Sequence, residues 1–174
     1  MTESDAMGDN LESHTSSAPQ PPLTGPIERI DDPRAPIEHS LDLPVSRTRA
    51  YDAYVLGLPE WWPRGLTASG SGFDRIDLDP HPGHRIVEHA RDGSEIVWGE
   101  VLEAEPGARF SHTFGLSHDG DPSRVTIVFA DLPHGGTRVL LQHHGWNESN
   151  LAGRAKHTDW SQLLERYAAY ATHV

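Results

Sequence analysis

The chain has 174 residues, 36% hydrophobic and 23% charged, a balance that suits one soluble domain and excludes a long apolar membrane span. Its 26 acidic and 14 basic side chains leave a formal charge of −12, which repels a phosphate backbone and disfavours nucleic acid or an anionic membrane as partner. Without cysteine, disulfides, thiolate metal sites and thiol nucleophiles are excluded as well.

Residues 1–34 hold seven acids, two arginines, many Ser and Pro and few large apolar residues, so they cannot bury enough surface to offset the entropy of ordering. They are expected to form a disordered acidic tail before a domain at 35–174. Neither a basic run nor an apolar core marks this region as a secretory signal, and a cytoplasmic location is expected.

From Ile37 to Leu43 apolar and polar residues alternate as on a half-buried strand, which Pro44 ends. Ser46 is placed to cap a helix with Ala50, Ala53 and Tyr54 on one face, and a second short helix falls around Leu58 to Trp62 before Pro63. Ser69-Gly70-Ser71-Gly72 reads as a flexible linker. Six strand-like runs follow: 73–78, 85–89, 95–103, 109–114, 124–130 and 137–143. The turn formers between them, such as Asp92-Gly93 and Gly135-Gly136, predict a sequential antiparallel meander. Finally, Trp160, Leu163, Leu164, Tyr167, Ala171 and Val174 recur at spacings that make one apolar stripe along a helix. The class is α+β, a curved antiparallel sheet of about seven strands around a long C-terminal helix, with two short helices after the first strand.

In this order, Trp61-Trp62-Pro63, Asp92-Gly93, Trp98-Gly99-Glu100-Val101-Leu102, Glu105-Pro106-Gly107-Ala108-Arg109-Phe110, Gly136-Thr137-Arg138-Val139, His143-His144-Gly145-Trp146 and Trp160 form a pattern over residues 36–174. It resembles the START-like (SRPBCC) helix-grip superfamily, and within it the group similar to the C-terminal domain of the Hsp90 activator Aha1. The Trp61-Trp62-Pro63 element, with Asp79-Pro80-His81-Pro82-Gly83 and Trp98-Gly99, is most similar to the enediyne self-resistance subgroup. The resemblance implies a Bet v 1-like fold with a cavity between sheet and final helix, used by many relatives to hold hydrophobic molecules.

Strand alternation places Ile96, Trp98, Glu100 and Leu102 on one face, with His112 and Phe114, and His143, on the corresponding faces of later strands. Trp61, Trp62, Trp98, Phe114, Trp160 and Tyr167 are expected to supply aromatic surface, and Glu100, His112 and His143 polar groups, to a ligand site. Two histidines and a carboxylate also match a metal set, but the reading adopted assigns no metal, no cofactor and no catalytic residue. His81 and His84 are expected on an exposed turn, and His143 and His144 on opposite faces of a strand.

The expected function is therefore binding of a hydrophobic or polyketide-like small molecule, for example to sequester an enediyne antibiotic or resist it. By the same resemblance Gly99 and Gly115 are positions where a backbone α-hydrogen could be sacrificed to a drug radical. One alternative is a polyketide aromatase or cyclase using the same pocket. Another is a module contacting a chaperone as its protein partner. A ligand-binding protein is favoured over a catalyst, and the oligomeric state is left open.

Overall fold

The structure, a computed structural model, describes residues 32–116 and 119–173. The segment expected to be a disordered tail lies almost wholly outside the described residues, as does Val174 of the C-terminal stripe.

Seven strands form one antiparallel sheet: β1 (Ile37–Leu43), β2 (Phe73–Leu78), β3 (Arg85–Ala90), β4 (Glu95–Glu105), β5 (Arg109–Phe114), β6 (Ser123–Asp131) and β7 (Thr137–His144). Their order is β1-β7-β6-β5-β4-β3-β2, so the meander runs from β2 to β7 and β1 joins at β7. β1 and β2 therefore end the sheet at opposite sides. Between them in the chain come α1 (Arg47–Val55) and α2 (Leu58–Trp61); after β7 come α3 (Leu151–Arg154) and α4 (Trp160–His173). The helix-grip architecture expected from the sequence is the one observed. One turn, α3, has no counterpart in the sequence reading, since four residues are too few to show a period.

Local chemistry explains the first helix. Ser46 accepts a hydrogen bond from the Arg49 amide at 3.2 Å, capping α1, while Pro59 and Glu60 fit the first turn of α2. α4 buries Trp160, Leu163, Leu164, Tyr167 and Ala171 against the sheet side. Its Tyr167 hydroxyl donates to the Ala50 carbonyl at 2.8 Å, and the Trp61 indole donates to the Ala53 carbonyl at 3.0 Å, so α1, α2 and α4 are joined by two buried polar bonds.

β4 departs from simple alternation. Register shifts occur opposite β3 between Ile86 and Val87, and opposite β5 between Val101 and Glu103. These bulges turn the strand, so that Trp98 and Val101, three residues apart, both face the core. The expected inner face of Ile96, Trp98, Glu100 and Leu102 is thus wrong beyond Trp98: Val101 is fully buried and Glu100 is exposed.

At Gly99 the backbone of β4 lies close against Thr113 of β5. A Cβ there would sit 1.8 Å from the Thr113 carbonyl oxygen, whereas one at Gly115 meets nothing nearer than the Trp98 carbonyl at 3.7 Å. Gly99→Ala is expected to destabilise the fold by about 1–3 kcal/mol through overpacking, and Gly115→Ala by much less, as read by urea unfolding.

Candidate functional site

Aromatic side chains from four elements meet beneath α4. The Trp62 ring lies 4.9 Å from Trp98, 6.2 Å from Trp160 and 6.4 Å from Phe114, centroid to centroid. Trp61 packs on Tyr54 and Tyr167 behind them. The interior hollow expected between sheet and helix is almost filled by these rings. What remains is a void of about 10 Å³ lined by Trp62, Trp98, Phe110, His112, Phe114 and Trp160 among others, room for a single water at most.

At one end of α4 the same floor is open. Trp62, Phe114 and Trp160 there form the base of a cleft of about 210 Å³, with Gly65, Leu66 and Thr67 on one side and Lys156, His157 and Asp159 on another. Leu116 and Leu163 complete the apolar lining. Three rings thus separate the outer cleft from the inner void, because they line both.

The predicted polar trio is not brought together. Glu100 points to solvent. His143 is fully buried but occupied: Trp160 Nε1–H donates to its Nδ1 at 3.0 Å, which puts its hydrogen on Nε2, facing Ser123 Oγ at 2.7 Å. Ser123 in turn donates to the Phe114 carbonyl at 3.0 Å. This chain holds α4 to the sheet, and neither His143 nor Ser123 lines either hollow. Only His112 faces the void. Its Nδ1 is 2.7 Å from the Thr113 carbonyl, so Nδ1 carries the hydrogen and Nε2 is left as an acceptor. Trp61 and Tyr167 are core residues that support the floor from behind.

His81 and His84 lie on the β2–β3 turn, as expected, with one Asp79 oxygen on each ring. His144 faces away from the core, 3.1 Å from Thr126 Oγ1, and so is on the opposite face from His143. Among the described residues no group of three or more His, Asp or Glu side chains is arranged to hold a metal ion, and no helix is long and apolar enough to cross a membrane.

The sequence reading missed Glu88, a fully buried carboxylate on β3. It accepts hydrogen bonds from the Ala68 amide at 2.9 Å, the Ser69 amide at 2.7 Å, the Ser69 hydroxyl and the Trp98 indole at 2.8 Å. Burial is the largest single influence and raises its pKa, but the hydrogen bonds together outweigh it and hold the carboxyl below its ordinary range. The segment expected to be a flexible linker is therefore tied down: Ser69 is bonded to Glu88, and Gly70–Gly72 forms a 3-10 turn. Strand alternation held the signal, since Ile86, Glu88 and Ala90 share a face.

A seven-stranded antiparallel sheet closed by a C-terminal helix, with aromatic rings filling the grip, defines a helix-grip protein. The chain belongs to the family of activator of Hsp90 ATPase homolog 1-like proteins, whose model matches residues 45–172. Among solved structures, it is similar to MLL2253 from Mesorhizobium loti, with a TM-score of 0.58 at 21% identity over 78% of this chain and 96% of that one. It is similar to the self-sacrificing resistance protein CalC from Micromonospora echinospora, with a TM-score of 0.60 at 20% identity, covering 80% of this chain and 96% of that one. The Aha1 dimer from Colwellia psychrerythraea gives a TM-score of 0.56 at 17% identity, covering 79% of this chain and 97% of that one. At these identities the likeness is one of fold. No curated protein matches the sequence significantly.

Burial pushes the His112 pKa down to about 4, only partly countered by its bond to the Thr113 carbonyl. The unfolded chain takes up this proton near pH 6.5 and the folded chain near 4, so the stability tied to neutral His112 is full above pH 6.5 and lost as pH falls to 4. Relative to His112→Gln, the wild type is expected to lose roughly 3 kcal/mol across that window in urea unfolding.

Proposed function

We propose that the protein binds a hydrophobic, polyketide-like small molecule in the outer cleft, acting in the cytoplasm as a sequestering or resistance protein. The observation that carries this reading is the aromatic floor of Trp62, Phe114 and Trp160 at the base of an open cleft. A flat ring system stacks on such a floor, and polar substituents reach Lys156, His157 or Asp159 at the rim. Trp61, Trp98 and Tyr167 then act as the backing against which the floor packs, and His112 as the acceptor for a group reaching inward. Glu100 and His143 have no direct part. The fold shared with the self-sacrificing resistance protein CalC is in keeping with this reading.

The test is titration of 15N-labelled protein with 2-naphthoate, a planar apolar acid whose carboxylate would face Lys156. Shifts are expected at Trp62, Phe114, Leu116, Trp160 and Lys156, and Trp62→Ala should weaken binding about tenfold, equivalent to roughly 1.4 kcal/mol. Absence of any shift at millimolar probe would sink the proposal.

One observation favours a self-sacrificing form of it. Gly115 is exposed and lies between Phe114 and Leu116, both of which line the cleft. A drug carbon radical held there would take the glycine α-hydrogen, leaving a backbone carbon radical stabilised by both neighbouring peptide groups. Incubation with an activated enediyne in air, where dioxygen adds to that radical and the resulting peroxyl species breaks the backbone, should then yield chain breakage at Gly115 by mass spectrometry, and Gly115→Ala should reduce it; breakage elsewhere would rule out this form.

A further inference from the structure

A fully buried carboxylate ordinarily needs a cation, because removing its charge from water is costly. Among the described residues Glu88 has none; its charge is met by two successive backbone amides, a hydroxyl and an indole. Three of these four donors belong to Ala68 and Ser69, in the stretch from Gly65 to Gly72. Apart from Thr67, that stretch buries little of its own surface. Three of its residues are glycine, Ala68, Ser69 and Ser71 are small, and Leu66 is 41% exposed.

The same stretch builds the cleft. Gly65, Leu66 and Thr67 form one wall, and the Leu66 carbonyl accepts the Trp62 indole at 3.3 Å, a long bond. The fourth donor to Glu88, Trp98, packs against Trp62 with the two rings tilted by 55°. One carboxylate thus fixes both the wall and the backing of the floor ring. Trp62 itself follows the last residue of α2, with extended backbone, and is the most exposed of the rings around the void. The cleft of about 210 Å³ is smaller than the roughly 300 Å³ at which small-molecule sites begin, so a polyketide-sized occupant needs the wall or the floor to yield.

We propose that residues 65–72 form a strap over the cleft, that Glu88 is its latch, and that ligand enters and leaves when the strap and Trp62 swing away together. Glu88 is on this account a positioning residue that sets the rate of ligand exchange without touching the ligand. The inference rests on the cleft being the binding site, and its test separates the two. In Glu88→Gln an amide N–H₂ replaces one accepting oxygen, so the strap loses part of its hold. Amide hydrogen exchange at Ala68 and Ser69 should accelerate roughly tenfold, and stopped-flow tryptophan fluorescence should show association and dissociation of 2-naphthoate accelerating by a similar factor, with a smaller change in Kd. Ser69→Ala, which removes one donor and leaves the carboxylate in place, should move both readouts the same way by less, and it carries the test if Glu88→Gln does not fold. Unchanged protection at Ala68 and Ser69 overturns the latch. Faster amide exchange with unchanged probe kinetics overturns the strap as the route of entry. Failure of the wild type to bind the probe overturns the cleft reading instead, and amide exchange still decides whether Glu88 holds the strap.

Discussion

One geometric mismatch governs this molecule: a single helix must cover a sheet far wider than itself. The 14 residues of α4 span about 21 Å, and a helix is about 10 Å across, whereas seven strands extend roughly 29 Å. Curvature closes part of the difference. Large rings close the rest, which is why Tyr51, Tyr54, Trp61 and Trp62 come from the short helices between β1 and β2 and meet Trp98, Phe110 and Phe114 from the sheet. Where that filling stops, near the start of α4, the cleft begins. Its position is thus a by-product of how far the aromatic residues of α1 and α2 reach.

Filling with rings brings polar atoms into the core, and each indole or hydroxyl needs a partner there. The pairings differ in consequence. His143 is held between Trp160 and Ser123 and is spent on structure. Glu88 joins the sheet to a segment that has few other attachments. His112 keeps an acceptor directed toward what space remains. Three buried polar residues of similar type thus have three different roles, set by how many of their bonds the core already supplies.

The strand pattern, the Ser46 cap and the stripe on α4 were legible in the sequence, because each rests on a short period or a local hydrogen bond. The site was legible only in part. Alternation put Trp98, His112 and Phe114 on the buried face, but Glu100 was misplaced because the bulge after Trp98 brings Val101 to the core in its stead. The Ser69-Gly70-Ser71-Gly72 segment has the composition of a linker, yet its order depends on a carboxylate 19 residues further on, which local composition does not register. The cleft was hidden for the same reason: Leu66, Leu116 and Lys156 come from three distant stretches, and only the packing of Trp62 shows that they enclose one space.

The two strands that end the sheet bear on how the protein behaves when crowded. β1 lies between Pro36 and Pro44 and carries Glu38 and Asp42, while β2 is interrupted by a register shift and carries Asp74, Arg75 and Asp77. A strand from a second copy would meet prolines at both ends of β1, a register shift in β2, and charged side chains on both edges. Growth of the sheet by lateral addition, the usual route to fibrils, is thereby discouraged.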